Sequence, residues 1–305
     1  MKLRWHLLLI LSVLFVFQGQ GRAETELILA SRANAVRVKI PSMGSAGTGF
    51  FIDAQHVVTA FHVVGKVNID KTKTPPEANI ITGKDVSVIV ATGEVITAEV
   101  VAPTDTQKPI TLVNPLPNSL QKAIVPVLGD FAILRLRQKP KSEIKPNVLL
   151  RGQPLPAVGS EVVFSGYPLD APTMLTHRGM ISGITDNQEL ICLQAPINKG
   201  NSGGALLSEQ GEVIGIITNR EGGISKELDD LVAYINETQK QGGVAIMGVN
   251  PLIVIRDLIK TLNKYISPGI GYARTIKHVA DYLDHNPWIL KLNGAAERAV
   301  PPDRQ

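Results

Sequence analysis

The pattern of apolar and polar positions divides the chain into a long β-rich part and a shorter helical part. From residue 35 to 250, short apolar runs alternate with Gly, Pro, Asn and Asp, a spacing typical of strands in a barrel or sandwich. Nearly continuous apolar centres favour closed barrels with filled interiors over a sheet with one wet face. The runs are VRVKI, GTGFFI, HVVTAF, VSVIVATGEVITAEVV, DFAILRL, EVVFSGY, MISGI, ICLQAPI and EVIGIIT.

Helical spacing of apolar residues appears in three later stretches, 224–235, 252–262 and 276–283. Each stretch lays one apolar stripe along a helix. The opposite faces mix charges of both signs, which indicates helices that pack against a core rather than against a membrane.

These patterns predict a division of the chain into consecutive regions, with the segment RQKPKSEIKPN at 137–147 linking two β-rich halves. The regions are a leader at 1–23, an N-terminal β-barrel at 24–140, a C-terminal β-barrel at 141–250 with an inserted helix at about 224–240, C-terminal helices at 251–293 and a flexible tail at 294–305.

The first 23 residues have the layout of a secretory signal peptide. Lys2 and Arg4 precede the apolar run LLLILSVLFVF, which is followed by polar residues and the small residues Gly21 and Ala23. The run is shorter than the roughly 17 to 25 residues that cross a bilayer. We therefore expect cleavage after Ala23 and no stable membrane anchor afterwards, with an uncleaved N-terminal anchor as the alternative.

Charge and cysteine content narrow the class of protein further. The chain has 31 basic and 27 acidic residues, but Lys2, Arg4 and Arg22 lie in the leader, so the remainder is nearly neutral. It has no basic run with interleaved aromatic residues, and we expect no nucleic-acid partner.

The single cysteine, Cys192, lies in an apolar run, where a buried small side chain is expected, and it permits no internal disulfide. An exported protein without disulfides fits the bacterial periplasm or medium.

The segment KGNSGGALL at 199–207 contains a candidate nucleophile, Ser202. A serine hydroxyl needs a base, a group that orients the base, and donors for the oxyanion that forms. The backbone N–H groups of Gly200 and Ser202 can converge on one point, as an oxyanion hole requires. A glycine-rich turn with a capping serine is the structural alternative.

His62 is the strongest candidate for the base, because it directly follows a β run that should be buried, although a structural histidine is also consistent with that position. Asp130 opens the apolar run FAILRL, and a carboxylate buried there needs a donor such as a histidine N–H. Asp105 competes for this role but lies in a polar loop. The chain order His62, Asp130, Ser202 recurs with this chemistry, whereas an esterase of the α/β-hydrolase type needs the acid and the histidine after the serine.

Five segments together carry a resemblance to a known family. They are GTGFFID, VVTAFHVV, GDFAILRL, INKGNSGGALL and GEVIGIIT, in that order. The sequence resembles trypsin-like serine proteases of the chymotrypsin fold, in particular the bacterial HtrA/Deg type. The resemblance implies an all-β fold of two antiparallel barrels with the active site between them. It also implies that His62 is the general base, Asp130 orients it, Ser202 attacks, and Gly200 and Ser202 supply the oxyanion donors.

Several departures from the family pattern shape the expected specificity. Fewer than 45 residues follow Lys264, so we do not expect the PDZ domain that usually follows an HtrA-type protease, and Lys199 replaces the usual proline before Gly200. Pro196 stands six residues before the serine, where enzymes that cut after Arg or Lys carry an acid. We therefore expect a pocket for small or medium aliphatic side chains, with cleavage after Glu as the rival, because SGYPLDAPTMLTHRG resembles glutamyl endopeptidases. The expected pocket residues are Pro196, Ile197, Thr218, Ala245 and Ile246.

The sequence thus predicts an exported serine endopeptidase that acts on protein or peptide substrates, in processing or quality control, without a metal or cofactor. The alternative is a protease-fold peptide-binding or chaperone module without turnover. The helix at about 224–240 is expected to cap the surface or to shape the specificity pocket. The oligomeric state is not predicted.

Overall fold

The computed structural model describes residues 25–112, 124–168, 171–220, 226–240, 248–265 and 269–290, and these residues form two barrels, a small sheet and several helices. In chain order the elements are α1 (25–34), β1 (Ala35–Ile40), β2 (Ser45–Phe51), β3 (His56–Thr59), α2 (Phe61–Val64), β4 (Gly65–Asp70), β5 (Glu77–Thr82), β6 (Val86–Ile89), β7 (Val95–Ala102), β8 (Ile110–Thr111), α3 (124–128), β9 (Ala132–Leu136), β10 (Glu161–Gly166), β11 (Leu175–Ile184), β12 (Leu190–Gln194), β13 (Ala205–Ser208), β14 (Val213–Arg220), α4 (Lys226–Lys240), α5 (Pro251–Tyr265), β15 (Ile270–Thr275) and α6 (Lys277–His285).

The first barrel is a closed antiparallel sheet in the order β1-β2-β3-β9-β7-β6. Its interior is filled by branched apolar side chains, among them Val36, Val57 and Leu134, which are fully buried. Strands β4, β5 and β8 form a separate three-stranded sheet in the order β4-β5-β8, which the sequence analysis did not predict. Phe61, Ile80 and Ile110 form a small core under that sheet.

The second barrel is also closed and antiparallel, in the order β10-β11-β12-β15-β14-β13. The predicted all-β architecture of two chymotrypsin-like barrels is therefore confirmed. The predicted boundary at residue 250 is wrong, because β15 supplies the strand between β12 and β14 that closes this barrel. The predicted helices correspond to α4, α5 and α6, with α4 and α5 inserted between β14 and β15.

The core of the second barrel extends into the first. Phe50, Val58 and Phe131 from the first barrel join the cluster that fills the second, together with Val279 and Leu283 of α6. This continuous packing fixes the cleft between the barrels, because close-packed interiors resist relative movement.

The N-terminal helix α1 contacts both barrels, a role the sequence analysis did not predict. Ser31 Oγ lies 2.8 Å from Ser165 Oγ on β10, and Asn34 donates its side-chain N–H to the Phe51 carbonyl at the end of β2. The leader at 1–23 and the tail at 294–305 lie outside the described residues. No helix in the part of the chain that is described is long and apolar enough to cross a membrane.

Candidate active site

His62 lies on α2, a single helical turn that follows β3. Its neighbours Phe61, Val63 and Val64 are buried, so the turn is anchored on both sides of the histidine. The His62 side chain itself is 49% exposed. The fold thus holds an imidazole rigidly at the edge of the cleft with one face open to solvent.

Asp130 follows α3 and directly precedes Phe131 and β9. Its backbone adopts a left-handed conformation with φ of 48°, which aspartate tolerates better than most residues. Its carboxylate lies 2.9 and 3.1 Å from His62 Nδ1, and it accepts the backbone N–H of His62 at 3.1 Å. The α6 helix packs behind this segment, with the Phe131 and Tyr282 rings edge to face at 5.5 Å.

The protonation state of the pair follows from these contacts. Burial opposes ionisation of Asp130, but hydrogen bonds from His62 and Thr218 and the charge of protonated His62 outweigh it and lower its pKa below the ordinary value. An ionised carboxylate only accepts hydrogen bonds, so Nδ1 of neutral His62 carries the proton. The lone pair is then on Nε2, the nitrogen turned away from Asp130 and available as a base.

Ser202 lies in the tight turn that leads into β13. Its hydroxyl donates to the Thr218 carbonyl at 3.0 Å, and its own carbonyl accepts the Thr48 N–H at 2.8 Å. Among the described residues there is no hydrogen bond between Ser202 and His62. A rotation of the Ser202 side chain must therefore precede attack, and catalytic hydrogen bonds often tighten only when substrate is bound.

Thr218, the partly buried residue that ends the apolar run on β14, contacts both sides of the site. Its hydroxyl donates to Asp130 Oδ2, while its carbonyl accepts the Ser202 hydroxyl. The sequence analysis assigned Thr218 to the substrate pocket and missed this link. A hydroxyl residue that ends a buried strand beside the nucleophile loop is the signal that could have suggested it.

The turn at 198–201 carries the candidate oxyanion donors. The Asn201 N–H donates to the Asn198 carbonyl at 3.0 Å, and Gly200, the third residue of the turn, has φ of +97°. A positive φ at this position is the type II geometry, which glycine permits. Among the described residues, the N–H groups of Gly200 and Ser202 have no hydrogen-bond partner, so both can donate to a bound group.

The rival candidates lie elsewhere. Asp105 accepts hydrogen bonds from Thr82 and pairs with Lys84, away from any histidine. His56 does pair with an acid, Asp53, at 2.7 Å, but its side chain is only 1% exposed. His56 therefore cannot reach a substrate in this conformation.

The predicted pocket residues are only partly described. Pro196 is exposed, while Ile197 is 2% exposed and packs against Gly271 of β15, where a Cβ would overlap it. Ile197 thus supports a pocket wall more than it presents a surface. Ala245 and Ile246 lie outside the described residues.

Two six-stranded antiparallel barrels, with His62 and Asp130 from the first and Ser202 from the second, define a chymotrypsin-like fold. The Trypsin-like peptidase domain family matches residues 47–216, more than half of the chain. The chain therefore belongs to the trypsin-like peptidase family. The α/β-hydrolase alternative is excluded, since that fold is built on a different, helix-flanked sheet.

Individual relatives agree with this assignment. Serine endoprotease DegS of Haemophilus influenzae is 34% identical over 109 residues, which are 33% of this chain and 31% of DegS. The Do-like serine protease HtrA of Lactococcus lactis is 27% identical over 164 residues, 49% of this chain and 36% of HtrA. The chain thus spans about a third of the length of these two relatives. A crystal structure of the Rv3671c protease of M. tuberculosis, in an inactive form, superposes with a TM-score of 0.49 at 17% identity, over 86% of this chain and 93% of that one.

Proposed function

We propose that this chain is an exported serine endopeptidase that hydrolyses peptide bonds through Ser202, His62 and Asp130. The observation that carries the proposal is the His62–Asp130 pair, in which a largely buried carboxylate fixes Nδ1 of a half-exposed imidazole. That arrangement supplies a base of defined tautomer at the edge of a cleft, and Thr218 links it to a serine held on a glycine-rich turn.

The reaction follows from the roles of these groups. Ser202 Oγ turns from the Thr218 carbonyl, attacks the scissile carbonyl carbon and gives its proton to His62 Nε2. The N–H groups of Gly200 and Ser202 bind the negative oxygen that develops, and Asp130 stabilises the protonated imidazole. His62 then gives its proton to the leaving amine, and water releases the acyl group from Ser202 by the same steps in reverse.

The direct test is labelling of the purified protein with a fluorophosphonate and location of the adduct by mass spectrometry. We expect an adduct on Ser202 that is lost in Ser202→Ala and in His62→Ala. Asp105→Asn is the matched control, because it alters the rival carboxylate, and it should label like the parent. An adduct on another residue, or labelling that survives in His62→Ala, contradicts the mechanism.

Export is the second part of the proposal. It is supported by the signal-peptide layout at 1–23 and by the similarity to DegS and HtrA. N-terminal sequencing of protein recovered from the periplasm or medium of expressing bacteria should begin at Glu24. Protein that remains in the cytoplasm with Met1 intact argues against export.

For specificity, we propose cleavage after small or medium aliphatic side chains. An uncharged Pro196 and the buried Ile197 beside β15 support an apolar pocket and offer no carboxylate to a basic side chain. Profiling on a peptide library tests this directly. Preference for Glu at the cleaved position favours the rival glutamyl specificity, and preference for Lys or Arg contradicts both.

A second candidate function, peptide binding without turnover, is favoured by one observation, the Ser202 hydroxyl donated to the Thr218 carbonyl instead of to His62. The two functions separate experimentally. A protein that binds peptides but neither hydrolyses them nor accepts a fluorophosphonate is the binding module.

A further inference from the structure

Thr48, at the middle of β2, makes hydrogen bonds to both residues of the proposed oxyanion hole. Its backbone N–H donates to the Ser202 carbonyl at 2.8 Å, and its hydroxyl donates to the Gly200 carbonyl at 2.6 Å. Thr48 belongs to the first barrel, whereas Gly200 and Ser202 belong to the second. One residue thus connects the first barrel to the turn that carries both N–H donors.

The Thr48 hydroxyl donates one hydrogen bond and accepts another. Besides donating to Gly200, it accepts the Tyr167 N–H at 3.2 Å, just beyond the end of β10. The residue is fully buried, and its own carbonyl accepts the Thr59 hydroxyl at 2.6 Å. A side chain fixed by this many partners on a paired strand has little freedom, so the position of its hydroxyl is well defined.

The bond to Gly200 acts on the peptide that directly follows the one whose orientation decides whether the hole exists. The peptide between Gly200 and Asn201 is held at both ends, its N–H by the Asn198 carbonyl and its C=O by the Thr48 hydroxyl. Type I and type II turns differ by a flip of the preceding peptide, which carries the Gly200 N–H. Loss of the Thr48 bond frees one end of Gly200 and makes that flip easier.

Packing around Gly200 supports the same role. A Cβ at Gly200 would overlap the Tyr167 carbonyl, so the turn presses directly against the residue whose N–H binds the Thr48 hydroxyl. Thr48 and Tyr167 therefore both contact Gly200 directly. A buried acceptor left without its donor is costly, so the Gly200 carbonyl would move to find another partner.

We propose that the Thr48 hydroxyl is a positioning group for catalysis, which holds Gly200 in the left-handed conformation that aims its N–H at the oxyanion. The inference rests on the proposed endopeptidase function. It predicts that Thr48 contributes to binding of the transition state and little to binding of the substrate.

The experiment compares Thr48→Val, which removes the hydroxyl at nearly constant shape, with Thr48→Ser, which keeps it. We expect Thr48→Val to lower kcat by about 10-fold to 100-fold while KM changes by less than about threefold, since the lost contact acts in the transition state. Thr48→Ser should recover kcat to within about threefold of the parent. Thr82→Val, which removes another buried hydroxyl bound to Asp105 in the small sheet, is the matched control and should keep kcat unchanged.

An inhibitor pair separates the hole from the rest of the cleft. A peptidyl trifluoromethyl ketone places an oxyanion in the hole, whereas the matching peptidyl methyl compound, which lacks the carbonyl, binds through its peptide part alone. Thr48→Val should weaken the ketone by about 10-fold to 100-fold and leave the affinity of the methyl compound unchanged, because only the ketone depends on the Gly200 N–H. Equal weakening of both compounds, or of neither, overturns the proposal.

A structural readout keeps this test independent of activity. In crystals or in NMR spectra of Thr48→Val, Gly200 should lose its positive φ in a substantial fraction of molecules. A Gly200 that stays in the left-handed conformation overturns the positioning role, even if the parent proves inactive and the endopeptidase function fails. If Thr48→Val does not fold, Thr48→Ala serves as a second variant without the hydroxyl and without added bulk.

Discussion

The first barrel contains two histidine–aspartate pairs that have similar contacts and different surroundings. His56 lies 2.7 Å from Asp53 and His62 lies 2.9 Å from Asp130. The His56 side chain is 1% exposed and its Nε2 is buried without a partner among the described residues, whereas the His62 side chain is 49% exposed. The contact between imidazole and carboxylate therefore does not by itself distinguish a catalytic pair. What distinguishes it is that the second ring nitrogen of the histidine has access to the cleft.

The difference arises from local structure. His56 begins β3 and its partner lies three residues earlier in the connecting turn, where Asp53 also accepts the backbone N–H groups of Gln55 and His56. His62 follows the end of that strand, and its partner comes from a segment 68 residues later in the sequence. The first pair closes a turn, and the second joins two distant segments at an open edge.

The largest expected effect comes from removing each imidazole. His62→Ala should lower kcat by about a million-fold, because a serine without its base retains only the contributions of the oxyanion hole and binding. His56→Ala should instead lower the free energy of unfolding by about 1 to 3 kcal/mol through loss of a buried hydrogen bond, with kcat per folded molecule near that of the parent. Active-site titration combined with thermal unfolding measures both quantities. A comparable fall in kcat for the two variants breaks the comparison.

Replacing each carboxylate gives the next largest effect. Asp130→Asn should lower kcat by about 10,000-fold, because an amide can donate to Nδ1 and so favours the wrong tautomer of His62. Asparagine also tolerates the left-handed backbone at residue 130, so the fold should persist. Asp53→Asn is the control, and it should change stability while kcat stays within about threefold. Steady-state kinetics and circular dichroism distinguish these outcomes.

Thr218 adds a difference between the two pairs, because among the described residues a threonine hydroxyl donates to Asp130 and none donates to Asp53. Thr218→Val should lower kcat by about 10-fold, since Asp130 loses one hydrogen bond of about 1 to 1.5 kcal/mol while His62 keeps its contact. Thr218→Ser keeps the hydroxyl and should retain most of the activity. A Thr218→Val enzyme with unchanged kcat and altered KM would instead place Thr218 in the substrate pocket, as its sequence position suggested.

Much of the fold could be predicted because its strands carry their own signal. Runs such as FAIL at 131–134 and VIGII at 213–217 have no polar side chain at inward or outward positions, as is expected of strands buried on both faces. The order of His62, Asp130 and Ser202 likewise required no coordinates. These features depend on composition and order along the chain, which a sequence displays directly.

The features that the sequence analysis missed lack such a local signal. The inward positions of β15 are Gly271, Ala273 and Thr275, which are small or polar and therefore produce no alternation of apolar and polar residues. The sequence analysis consequently did not identify this strand, which lies between two predicted helices. The role of Thr48 could not be predicted either, because its partners Gly200 and Ser202 are more than 150 residues away in the sequence. Hydrogen bonds between the two barrels have no periodicity that a sequence could reveal.

The smallest expected effect concerns stability in acid, where the two pairs should behave alike. Burial opposes ionisation of Asp53, but its bonds to His56 and Gln55 outweigh it, so its pKa, like that of Asp130, is lowered from 3.8. A carboxyl with a lowered pKa in the folded state binds its proton less readily than in the unfolded chain. Its contribution is therefore complete above the ordinary value and is lost as the pH falls through the folded value.

Both Asp53→Asn and Asp130→Asn should accordingly show a shallower loss of unfolding free energy than the parent below about pH 4. Urea unfolding at a series of pH values measures the slope. Because the unfolded chain binds more protons than the folded one in this range, each substitution removes part of the acid sensitivity, whatever it does to stability at neutral pH. A slope that stays unchanged in Asp130→Asn would mean that His62 does not hold Asp130 ionised at rest. The His62–Asp130 pair would then form only when substrate is bound, while the His56–Asp53 pair is permanent.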